Sequence, residues 1–77
     1  MNNTFKIKLE TVDAVKAFSN AISKVDGQMD ISHGRYVVDA KSIMGIFSLD
    51  LTNVLTLTVH TGDIGEVCAA VNDFVAE

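Results

Sequence analysis

The sequence predicts an α+β fold, a four-stranded sheet, antiparallel or mixed, with helices packed on one face. Three observations carry that expectation. Four short segments alternate apolar and polar residues, so each makes a strand with one buried face. Two longer segments space their apolar residues by three and four, as amphipathic helices do. A strand buried on both faces, the mark of an all-parallel sheet, is nowhere present.

The first strand is expected from Thr4 to Glu10, with Phe5, Ile7 and Leu9 on one side and Thr4, Lys6, Lys8 and Glu10 on the other. Thr11 then suits the N-cap of a helix, Asp13 suits the positive end of its dipole, and Val15, Phe18, Ile22 and Val25 form its buried stripe. Lys24 falls in the last turn and Gly27 ends the helix. Gln28 to Ser32 alternates again with Met29 and Ile31 inward. A turn at His33 and Gly34 leads into Arg35 to Ala40, so the two runs read as a hairpin.

Lys41 to Leu49, KSIMGIFSL, has more apolar side chains than a helix so short needs for one buried face. Ser42 suits its N-cap, where the hydroxyl accepts from orphan backbone N–H groups. Ile46 and Leu49 share one face, while Ile43, Met44 and Phe47 are neighbours on another. Only one of these faces can meet the sheet, so flanking chain or a partner must cover the second.

Val54 to His60 gives the fourth strand, with Leu55, Leu57 and Val59 inward and Thr56, Thr58 and His60 outward. Asp63, with Glu66 three residues on, begins a last helix whose stripe is Ile64, Val67, Cys68, Val71, Phe74 and Val75. In that stripe Cys68 reads as a small buried hydrophobe. Nothing reads as linker, repeat or low-complexity sequence, so residues 1–77 are expected to form one domain.

Composition excludes several function classes. Six Lys and Arg stand against ten Asp and Glu, for a net charge of −4, and no basic cluster occurs. Nucleic acid and anionic membrane surfaces are therefore not expected partners. One cysteine makes no internal disulfide, and with no signal peptide or membrane-length apolar run the expected compartment is the cytoplasm. The two histidines, His33 and His60, lack a third ligand at a recognisable spacing, so neither a metal nor another cofactor is expected.

The motif KSIMGIFSL, and above all its core Lys-Ser-Ile-Met-Gly, resembles the HPr phosphocarriers of the bacterial sugar phosphotransferase system and their Crh-type regulatory paralogues. The likeness runs without gaps from Ser23 through the hairpin and fourth strand, and resumes at Thr4, Phe5, Lys6 and Ile7. It implies an HPr-like open-faced βαββαβα sandwich with a four-stranded antiparallel sheet. It also implies that Ser42 matches the serine phosphorylated by a regulatory ATP-dependent kinase, and that Ile43, Met44 and Phe47 match an exposed patch that docks protein partners.

One departure matters. Phosphocarrying members place a Gly-Ile-His-Ala-Arg-Pro loop after the first strand, whose histidine takes phosphate from enzyme I. Here the segment is Glu10-Thr11-Val12-Asp13-Ala14-Val15-Lys16, shorter and without histidine, arginine or proline. The expected function is thus a non-enzymatic, protein-binding regulatory module of the carbon-regulation type, with HPr kinase and a transcription regulator or metabolic enzyme as its partners. The alternatives are a phosphocarrier using a non-standard acceptor, and a structural domain that forms a homodimer through Ile43, Met44 and Phe47. An acylphosphatase-like hydrolase would need an anion-cradling arginine loop, whereas the single arginine, Arg35, lies in the hairpin.

Overall fold

Period-two alternation becomes a four-stranded, fully antiparallel sheet in the computed structural model, which describes residues 3–76. In chain order the elements are β1 (Thr4–Ile7), α1 (Val12–Ser23), β2 (Met29–His33), β3 (Tyr36–Asp39), α2 (Ile43–Phe47), β4 (Leu55–Val59) and α3 (Ile64–Val71). A single 3₁₀ turn, Asn72–Phe74, follows α3. The strand order is β1-β4-β2-β3, so β1 and β3 are the edges.

Register follows from which side chains must be buried. Phe5 sits opposite Leu57 and Ile7 opposite Leu55, while Ile31 pairs with Leu57 on one side and Val38 on the other. These residues share the inner face, and a one-residue slip would turn all of them to water. The outer face is polar: Thr56 and Thr58 on β4 lie between Lys6 on β1 and Asp30 and Ser32 on β2. This is the open face of the sandwich.

On the inner face, Val15, Phe18 and Ile22 of α1 and Val67 and Val71 of α3 are fully buried against Ile7, Ile31, Leu55 and Leu57. Each such side chain contributes about 1.5–3 kcal/mol relative to exposure. Phe18 also meets Phe74 edge to face, with centroids 5.7 Å apart at 85°. α1 touches both other helices, which makes it the centre of the helical layer.

Caps form where the sequence places them. Thr11 is extended and its hydroxyl accepts from the Ala14 amide at 3.0 Å, and Asp63 accepts from the Gly65 and Glu66 amides. The hairpin turn has Gly34 at φ 61° and no positive φ at Arg35, the pattern of a type II′ turn. Gly27, at φ 125°, lies past the end of α1; a side chain there would run into the Thr61 carbonyl, because the exits of α1 and β4 pass one another closely at Gly27 and Gly62.

Three expectations are corrected. β1 ends at Ile7 rather than Glu10, because beyond it the Lys8 amide turns to the Phe74 carbonyl. The last helix stops at Val71; after the 3₁₀ turn Val75 bridges to Ile7 and the Ala76 amide donates to the Lys6 carbonyl. Cys68 is exposed, since Val67 and Val71 already take the inward positions of an eight-residue helix and residue 68 stands about 100° round from Val67.

Candidate functional site

The candidate site is α2 together with the turn that enters it. Asp39, the last residue of β3, organises that turn: its carbonyl accepts from the Ser42 amide at 3.0 Å and its carboxylate from the Lys41 amide at 2.9 Å. Lys41 is held in turn by its ammonium, which donates to the Val25 carbonyl at 2.6 Å beyond the end of α1. The entry to α2 is thus anchored to both the hairpin and the first helix.

Ser42 is the N-cap. It is half-buried and extended, with φ −99° and ψ 105°, and its Oγ accepts from the Gly45 amide at 3.2 Å. Its carbonyl accepts from the Ile46 amide at 3.0 Å. Ser48 closes the other end, its hydroxyl donating to the Gly45 carbonyl at 2.5 Å. A Cβ on Gly45 would lie 3.1 Å from the Val38 Cβ and 3.3 Å from Ser42 Oγ, so the lack of a side chain lets α2 lie close against β3.

The two apolar faces of α2 divide unequally. Ile46 is fully buried and Leu49 nearly so, which fixes the inward face. Met44 is 77% exposed, whereas Ile43 and Phe47 are half-buried and pack at the border of the core. Of the three expected patch residues, then, Met44 stands fully outward and Ile43 and Phe47 flank it with part of their surface.

At the start of α1, Val12 is a further exposed hydrophobe, 55% accessible, one residue past the Thr11 cap. Sequence periodicity does not signal that exposure: Val12 lies three residues before Val15, in step with Val15, Phe18 and Ile22, but stands in the first turn, at the rim of the core. An open groove of about 280 Å³ lies near this end of the fold, lined by Lys8 and Glu10 before α1 and by Leu51 and Thr52 before β4. The loop after α2 is held by Asp50, whose carboxylate accepts from the Thr52 hydroxyl at 2.6 Å, the Thr52 amide at 3.1 Å and the Asn53 side-chain amide at 3.1 Å. Those bonds to Thr52 hold the Asp50 carboxyl below its ordinary range.

Neither histidine joins α2 or the first turn of α1. His60, just past β4, pairs with Asp30 at 2.5 Å, and its amide donates to the Gln28 carbonyl, at the opposite end of β4 from α1's start. His33 ends β2 and is two strands away from β1 in the sheet. Among the described residues no group of three or more His, Cys, Asp or Glu could hold a metal ion. No helix among them is long and apolar enough to cross a membrane.

Fold and site together define a small open-faced βαββαβα sandwich with a capped, outward-facing second helix. A crystal structure of HPr-C-His from Thermoanaerobacter tengcongensis is similar to it, with a TM-score of 0.76 and 33% sequence identity over 91% of this chain and 84% of that one. The chain belongs to the HPr family. No protein-family model and no curated protein matches it.

Proposed function

We propose that this HPr-family protein is a protein-docking regulatory module that does not relay phosphate through histidine. Its contact surface is the outer face of α2, with Met44 at the centre and Ile43 and Phe47 beside it, and its regulatory phosphorylation site is Ser42. The observation that carries the reading is the placement of Met44: a large side chain 77% exposed two residues after a serine that caps the same helix.

The sequence between β1 and α1 supports the same reading. Thr11 occupies the cap of α1, and no histidine lies between Glu10 and Lys16 to take up a phosphoryl group. A phosphate held at a helix start needs its acceptor beside the free N–H groups, and His33 and His60 are placed elsewhere.

A phosphoryl group on Ser42 adds a charge of about −1.5 to −2 at the N-terminus of α2, where the helix dipole favours it. Its oxygens can take over the Gly45 amide that the hydroxyl now accepts. The domain then keeps its fold while the apolar patch gains a neighbouring dianion, which alters the choice of partner. By family resemblance the modifying enzyme is an HPr kinase and the reader a transcription regulator or an enzyme of carbon metabolism.

Incubation with an HPr kinase and ATP, followed by peptide mapping, tests the switch. Label on Ser42 that disappears in Ser42→Ala is the expected result. An unlabelled wild-type protein removes the phospho-switch from the account.

A further inference from the structure

We infer that β3 is a self-pairing edge, and that two copies of this chain join antiparallel through Arg35–Asp39 into one continuous eight-stranded sheet. The inference is independent of the α2 surface.

The two edges of the sheet differ. On β1 the chain's own end covers the Ile7 side, through the Ile7–Val75 bridge and the backbone bonds of Lys8 and Ala76. On β3 no described strand pairs with the outer side, and Tyr36 and Val37 are 72% and 61% exposed. An uncovered strand edge carrying apolar residues is a template for another strand.

Backbone direction fixes which groups are free. The Ala40 amide donates to the Met29 carbonyl on β2, so by strand alternation residues 36 and 38 also turn inward to β2 and residues 35, 37 and 39 turn outward. The Asp39 carbonyl is already engaged by the Ser42 amide. What remains outward is the N–H and C=O of Val37, the N–H of Asp39 and the C=O of Arg35.

A twofold axis at Val37 uses all of these. Val37 then exchanges both backbone bonds with Val37 of the second copy, and each Asp39 amide meets the Arg35 carbonyl opposite. The side chains match as well: Arg35 stands across from Asp39, Tyr36 from Val38, and Val37 from itself. Opposite charges and apolar pairs directly across a ladder are the favourable combinations. Moving the axis by one residue either way sets Arg35 or Asp39 against Val37 and leaves the charge unmatched. The occupant is therefore a second copy, since Arg-Tyr-Val-Val-Asp is complementary to itself in this register.

A five-residue edge buries less than the roughly 800 Å² per partner of a standard interface, so the dimer is weak. Sedimentation equilibrium of the full chain, from micromolar to millimolar concentration, reads it. Wild type is expected to pass from monomer to dimer across that range. Arg35→Asp and Asp39→Arg should each weaken the dimer about tenfold by opposing like charges, and the double exchange should restore it. Because Asp39 also holds the Lys41 amide, circular dichroism accompanies each variant and Arg35→Asp is the deciding single change. A wild type monomeric at every concentration overturns the inference, as does an Arg35→Asp variant that dimerises like wild type. So does a dimer broken by Met44→Asp but not by Arg35→Asp, which would assign self-association to α2.

Discussion

The Gly45 amide donates to the Ser42 hydroxyl across 3.2 Å, so the oxygen proposed to carry a phosphoryl group is also the one that caps α2. The cap and the proposed phosphorylation site therefore share one atom, and substitutions can separate the two.

Ser42→Ala removes the cap and should cost about 0.5–2 kcal/mol, whereas Ser42→Asp keeps an acceptor at the N-cap and should stay within a few tenths of wild type. Urea unfolding of the three proteins checks this. Equal stability of Ser42→Ala and wild type would mean that the cap contributes nothing.

Gly45→Ala sets two effects against each other. Alanine gains about 1 kcal/mol of helix propensity, but its Cβ comes to 3.1 Å from the Val38 Cβ, and overpacking of this sort costs about 1–3 kcal/mol. Val38 belongs to a strand paired with β2 and has little room to retreat. A net loss of about 1 kcal/mol is expected from denaturant titration; a gain would show that α2 shifts freely over β3.

Met44 and Ile46 should behave in opposite ways. Ile46→Ala, at a fully buried position, should lose about 2–5 kcal/mol. Met44→Asp, at an exposed one, should change stability by less than about 0.5 kcal/mol while abolishing partner binding. Thermal unfolding paired with pull-down by a bound family partner separates the two readouts.

Asp50 makes the loop after α2 acid-sensitive. Its carboxyl is held below the ordinary value of 3.8, first by the Thr52 hydroxyl and then by the Thr52 amide. A group whose folded-state pKa is lowered contributes fully above its unfolded value and loses that contribution as pH falls through the folded one. Melting temperatures taken from neutral pH into the acid range should therefore fall less steeply for Asp50→Asn than for wild type below about pH 3.8.

Much of this molecule is legible in the sequence because short-range rules decide it. Thr11, Ser42 and Asp63 each cap the helix they precede, and the alternation through Met29–Ile31 and Leu55–Val59 puts those residues inside. The misreadings arise where neighbours decide. Cys68 looks like part of a stripe, but an eight-residue helix has room for only Val67 and Val71 at the core. The return of Val75 to Ile7 is a pairing across most of the chain with no local signal. Likewise, three apolar residues at helical spacing on α2 do not tell which is exposed; the Val38–Gly45 approach and core packing leave Met44 outward and half-bury Ile43 and Phe47.

In the proposed function the working surface is α2 with Ser42, without a histidine relay. Intact-mass and peptide analysis after two parallel reactions decides the matter: enzyme I with phosphoenolpyruvate, and HPr kinase with ATP. No transfer is expected in the first, and a single phosphoryl group on Ser42 in the second. An acid-labile phosphoryl group on His33 or His60 in the first reaction would contradict it.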